Sequence, residues 1–94
     1  NDEFDKIQIE VENLSQLKKI LSYGIKNILL DNFTTSKIKE AIKINKKRAI
    51  LEASGNINKN NIADFAKTGV DRISVGFITK NIHSIDFSMN IDRK

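Results

Sequence analysis

Five positions carry side chains or backbone freedom suited to chemistry: Glu10, Asp31, Ser54, Gly55 and Gly76. Each stands at the end of a short apolar run. A carboxylate pair from two neighbouring runs can hold a divalent cation, usually Mg²⁺ with its waters, or accept hydrogen bonds from sugar hydroxyls. A glycine at such an end lets the backbone approach a phosphate closely, so that the following N–H groups point at it. Ser54 adds a hydroxyl donor. Together these residues suit a phosphorylated sugar, with its phosphate over Ser54, Gly55 and Gly76 and its ribose near Glu10 and Asp31. Each also has a plain structural use. Glu10 shares a strand face with Gln8 and Glu12 and can simply be solvated. Asp31 can cap the next helix, Ser54 can start one, and both glycines can make tight turns.

The surrounding pattern supplies the elements that must position them. Ile7, Ile9 and Val11 alternate as in a strand ending near Glu12. Asn13 is a good N-cap for a helix carrying Leu14, Leu17, Ile20 and Leu21, and Gly24 ends it. Residues 27–30 form an apolar run stopping at Asp31, suited to a strand buried on both faces. Thr34, Thr35 or Ser36 can cap a second helix with Ile38, Ala41, Ile42 and Ile44 inward, closed by the basic run Lys46, Lys47, Arg48. Residues 49–53 read as a strand ending at Ser54, Gly55, Asn56. A third helix is expected from a cap near Asn58, with Ile62, Phe65 and Ala66 inward and Gly69 at its end. Residues 72–75 read as a fourth strand ending at Gly76. Alternation of Ile85, Phe87, Met89 and Ile91 suggests a terminal strand.

Residues 23–31 and 68–76 echo one another: glycine closes a helix, and a strand ends about seven residues later. That is the rhythm of a parallel α/β sheet, in which ligands bind at the carboxyl ends of strands. The expected fold is one domain, a partial (half) α/β barrel of parallel strands alternating with helices, plus the terminal strand. A full barrel needs roughly 250 residues, and this sequence has 94. A half barrel leaves two unpaired edges, so a homo-oligomer or a complementing chain is expected.

Composition excludes several classes. With no cysteine there is no disulfide, thiolate metal site or cysteine nucleophile, and the single histidine, His83, cannot build a multi-imidazole zinc site. No apolar run reaches eighteen residues and no secretory leader is visible, so the expectation is a cytoplasmic protein without a membrane span. The net charge of +4 is uneven: residues 1–12 sum to −4 and residues 13–94 to +8. A basic bulk admits a phosphorylated ligand. The basic residues are scattered, and Lys46, Lys47 and Arg48 have no interleaved aromatic platform, which argues against nucleic acid.

In order, the segments 9–14, 29–33, 51–55, 68–71 and 74–76 (IEVENL, LLDNF, LEASG, TGVD and SVG) resemble the C-terminal part of quinolinate phosphoribosyltransferase, the carboxylating nicotinate-nucleotide pyrophosphorylase. A molybdenum-transport-associated relative of the same superfamily shares much of this set. The resemblance implies an N-terminal sandwich domain plus an α/β barrel, working as an oligomer. It implies a Mg²⁺-dependent reaction of quinolinate with phosphoribosyl pyrophosphate to nicotinate mononucleotide, pyrophosphate and CO₂, in NAD biosynthesis. It places Glu10 and Asp31 at the ribose and metal, and Ser54, Gly55 and Gly76 at the 5′-phosphate. Some positions depart from the family pattern. Lys80 stands where a histidine is usual, a cation that can still meet the phosphate, and His83 lies three positions on. Asn56 replaces a second glycine, and Gln8 a glutamate. The basic residues that read quinolinate lie upstream in the family, so the expectation is a phosphoribosyl-binding half with little activity alone. A non-enzymatic module that binds a sugar phosphate or nucleotide, or a partner through its sheet edges, is the alternative.

Overall fold

The computed structural model describes residues 6–75. Gly76, Lys80, His83 and the expected terminal strand lie outside the described residues. Four strands alternate with three helices: β1 (Gln8–Val11), α1 (Leu14–Ser22), β2 (Asn27–Asp31), α2 (Thr35–Asn45), β3 (Ile50–Ser54), α3 (Ile62–Ala66) and β4 (Arg72–Ile73). The sheet is parallel throughout, in the spatial order β1-β2-β3-β4. Right-handed crossovers between strands in sequential order put every helix on the same face. That is how a barrel sector is built, and the expected partial α/β barrel is observed. No helix among the described residues is long and apolar enough to cross a membrane.

The register sorts the two faces. Ile28 pairs with Ile9 and Leu51, and Leu30 with Val11 and Ala53. These residues, with Ile73, form a core with Leu17, Leu21, Ile38, Ala41 and Phe65 of the helices. Residues one step along, Glu10, Leu29, Glu52 and Arg72, form a row on the opposite face. There Gln8 Nε2 donates to Glu52 Oε1 at 3.2 Å. Leu29 is half-buried, so β2 is sealed on its helix face only, in contrast to the expectation of burial on both. Among the described residues nothing packs over the inner face.

Local chemistry starts and stops the helices. The Asn13 side chain accepts from Gln16 N at 2.8 Å and Thr34 Oγ1 from Lys37 N at 3.2 Å, each satisfying a free N–H of a first turn. Gly24, at φ +83°, follows α1 and donates to Leu21 O. At the end of α2, Lys46 and Lys47 both take left-handed φ, 52° and 62°, which costs non-glycine residues on the order of 1–2 kcal/mol each. Asn45, 4% exposed, offsets this cost. Its side chain donates to Ala49 O at 2.8 Å and accepts from Ala49 N at 2.9 Å. Arg48 donates to the carbonyls of Ile44 and Asn45, placing a cation on the negative end of the helix. Asn45 was not singled out by sequence pattern, because polar residues at helix ends are common and its burial is a tertiary fact. The last helix is shorter than its pattern suggested. Phe65 is buried and Ile62 half-buried, but Ala66 is exposed, since five residues make little more than one turn. Asn58 opens the turn before α3, and Asn61 holds the cap position with no capping bond from its side chain.

Candidate functional site at the strand exits

The carboxyl ends of β1, β2 and β3 lie side by side because the sheet is parallel and in register, with Val11 beside Leu30 and Asp31 beside Ser54. Glu10 and Glu12 are two residues apart, so they share a face, and Asp31 reaches them from the neighbouring strand. Carboxylate oxygens of Glu10, Glu12 and Asp31 lie within 4.8 Å of one another. The Glu12 backbone is held in place by its N–H, which donates to Gln16 Oε1 at 2.7 Å. Asp31 does not cap α2, since Thr34 does. Glu10 is exposed, as a solvated strand face would have it, and its carboxylate lies beside those of Glu12 and Asp31.

Three carboxylates this close repel. The Asp31 charge pushes the Glu10 carboxyl above its ordinary value. A hydrogen bond between the two side chains adds to the effect, followed by partial desolvation and the Glu12 charge. Such a cluster favours either a shared proton or a divalent cation, the hard oxygen-ligated kind. The donor set, three carboxylates on two adjacent strands open to solvent, fits Mg²⁺ that keeps several of its waters.

The second half of the site is the exit of β3. Ser54 is its last residue, not a helix start. Gly55 takes φ +84°, and a Cβ there would sit 2.9 Å from Asn32 N and 3.1 Å from Asn32 Cα. Both the dihedral and the close approach require glycine. Asn56 follows at φ 58°, a conformation asparagine tolerates better than most residues. Asparagine thus makes this turn at the position where the resemblance implied a second glycine. The Ser54 hydroxyl bonds none of the described residues and is half-buried at the mouth of this turn. The structure brings together Glu10, Asp31, Ser54 and Gly55. Gly76 and Lys80 lie beyond the described residues.

Sequence reasoning placed Glu12 and Asn32 at strand ends but gave neither a part in the site. The signal for Glu12 was present in its period-2 relation to Glu10. Asn32 bonds residues 22 to 24 positions away, Ser54 and Asn56, and nothing in local sequence announces that.

A parallel α/β-barrel sector with an acidic cluster and a small-residue turn at adjacent strand exits is the class of protein these features define. Residues 1–90 match the family model for the quinolinate phosphoribosyl transferase C-terminal domain, and the chain belongs to that family. It is 40% identical over 95 residues to a probable carboxylating nicotinate-nucleotide pyrophosphorylase of Methanocaldococcus jannaschii, covering 94% of this chain and 34% of that protein. It is 33% identical over 85 residues to the Bacillus subtilis protein of the same description, covering 90% of this chain and 29% of that one. The crystal structure of nicotinate-nucleotide pyrophosphorylase from Ehrlichia chaffeensis superposes with a TM-score of 0.73 at 46% identity, over 79% of this chain and 27% of that one. The Francisella tularensis structure also gives 0.73, at 44% identity, over 80% of this chain and 27% of that one. The chain spans about a third of the length of the curated relatives it matches.

Proposed function

We propose that this chain supplies the phosphoribosyl-binding half of a quinolinate phosphoribosyltransferase site. The observation that supports it most is the adjacency of the Glu10, Glu12 and Asp31 carboxylates to the Ser54–Gly55 turn on neighbouring strand exits. A pentose 5-phosphate with a pyrophosphate at its other end needs both chemistries at once: close backbone approach for the phosphate, and carboxylates for hydroxyls and a bound cation. Glu10 and Asp31, with Glu12, would hold Mg²⁺, which when bound offsets the charge of a leaving pyrophosphate. Ser54 Oγ and the N–H groups after Gly55 would take the 5′-phosphate, joined by Gly76 and Lys80. In this reading the substrate is phosphoribosyl pyrophosphate and the product nicotinate mononucleotide.

The reading assigns turnover to a completed barrel. Among the described residues, the edges at β1 and β4 are unpaired and the inner face is uncovered, so water reaches the floor of the site. Charge stabilisation is weak while water is present. Further strands, and groups that read the two carboxylates of quinolinate, must come from elsewhere in the same polypeptide or from a partner chain. Residues 6–75 are therefore expected to bind without appreciable turnover.

A thermal melt of the chain with and without Mg²⁺ and phosphoribosyl pyrophosphate tests the binding. Ligand at a hundred times its dissociation constant adds about 2.7 kcal/mol, a rise of roughly ten degrees or more for a domain this small. The rise should need Mg²⁺ and should vanish in Asp31→Asn. A cooperative melt that ligand leaves in place would overturn the reading.

A further inference from the structure

The two halves of the site are tied to each other by asparagine side chains. Asn32 directly follows Asp31, and Asn56 directly follows Gly55. Asn32 N donates to Ser54 O at 2.8 Å, and Asn56 Nδ2 donates to Asn32 Oδ1. Between these bonds the backbones of Asn32 and Gly55 are so close that a single methyl on Gly55 would meet Asn32 N at 2.9 Å. Asn56 is braced from behind: its carbonyl accepts from Asn61 Nδ2 at 2.8 Å, and Asn61 Oδ1 accepts from Asn58 N at 2.8 Å. Asn32, Gly55 and Asn56 all have left-handed φ, 63°, 84° and 58°. The chain spends conformational energy to bring these two exits into contact, and side-chain bonds then hold the contact.

We infer that Asn56 is a positioning residue, and that its bond to Asn32 latches the β2 exit to the β3 exit so that the carboxylates and the phosphate turn act as one rigid unit. The inference rests on the phosphoribosyl reading for its consequence in binding, but the latch itself is a property of the fold. A glycine at position 56 would make the same turn without the side-chain bond between the exits. The distance between Asp31 and the Ser54–Gly55 turn would then be set only by the sheet and the Asn32–Ser54 bond. A ligand that spans both halves depends on that distance, whereas one that touches a single half does not.

Asn56→Gly is the informative variant, because glycine keeps the left-handed backbone and removes only the side chain. The first readout needs no ligand: amide hydrogen exchange in the full chain at Asn32, whose N–H donates to Ser54 O across the exits. The latch predicts faster exchange there, by about two- to tenfold, the range of one net hydrogen bond, with amides in the core of β2 unchanged. A double-mutant cycle with Asn32→Gly adds the pairwise test. Once either side chain is gone, loss of the other should change exchange of the position-32 amide little, relative to its intrinsic rate. Unchanged exchange in Asn56→Gly, or additive effects in the cycle, would overturn the latch. The second readout is affinity by calorimetry for phosphoribosyl pyrophosphate with Mg²⁺, compared with inorganic phosphate alone. The spanning ligand should weaken two- to tenfold, and phosphate much less. Equal weakening of both would mean that Asn56 shapes the phosphate turn only, and would overturn the coupling. If the unaltered chain binds neither ligand, the functional reading falls, and the exchange data still decide the latch.

Discussion

The two ends of the sheet use similar residue types to opposite effect. At the amino ends of the strands, polar groups are consumed within the fold. Asn45 takes both polar groups of Ala49, Arg48 covers the last carbonyls of α2, and Asp71 Oδ2 accepts from Leu51 N at 2.9 Å. At the carboxyl ends asparagines bond across the exits, while the carboxylates are held close to like charge. Glu10, Glu12 and Asp31 crowd like charges together, and the Ser54 hydroxyl bonds none of the described residues. The first end gains stability from its polar residues, and the carboxylates of the second give some up. That division matches the α/β-barrel rule that the bottom face stabilises and the top face binds. It shows that here the difference lies in hydrogen-bond bookkeeping rather than in composition.

The largest effect that would break this contrast is at the amino end. Asn45→Ala strands a buried N–H and a buried C=O at Ala49. It should cost about 3 kcal/mol and lower the melting temperature by more than ten degrees, while Mg²⁺ affinity per folded molecule stays the same. Next comes Gly55→Ala at the carboxyl end, where strained φ and the approach to Asn32 combine to cost about 2 kcal/mol. Unlike Asn45→Ala it should also abolish the ligand-dependent rise in the melt, by prising apart the exits. Asp71→Ala frees the Leu51 N–H at a cost of about 1 kcal/mol, seen in denaturant titration, with ligand binding untouched.

The smallest effect on stability sharpens the contrast most. Glu10→Gln removes one of three repelling charges, so the melt at neutral pH should hold or rise slightly while calorimetric Mg²⁺ binding is lost. The sign follows from the direction of the shift. The Glu10 carboxyl is raised by Asp31, so its folded-state contribution is fully present below the ordinary carboxylate range and is lost as pH rises through the raised value. Stability of the metal-free chain should therefore decline as pH rises through the Glu10 titration. Mg²⁺ should reverse that decline, and in Glu10→Gln the decline should be smaller. A Glu10→Gln chain that is less stable at neutral pH would show that the cluster is structural after all.

Much of this was legible from local pattern. Caps at Asn13 and Thr34, the strand-helix alternation and the glycines that follow α1 and α3 are short-range consequences of backbone satisfaction and apolar periodicity, and they appear where expected, whereas β4 spans only Arg72–Ile73, short of the 72–75 strand expected. The strand-exit positions of Glu10, Asp31, Ser54 and Gly55 also appear where expected. What escaped reading joins residues distant in sequence or depends on burial. Asn32 and Asn56 meet across two strands, Asn45 turns inward at a helix end, and Ala66 is left outside because α3 is a single short turn.

Sequence alone determined the period of each element, its start and stop, and which residues stand at the strand exits, because those follow from backbone geometry within a few residues. Only the tertiary structure decided that β1, β2 and β3 run side by side in one register. That register turns two glutamates and an aspartate into a cluster, makes Gly55 indispensable against Asn32, and gives Asn56 a partner. Each of those facts depends on distances between strands about 4.8 Å apart, a spacing set by the ladder of the whole sheet and by no local stretch of chain.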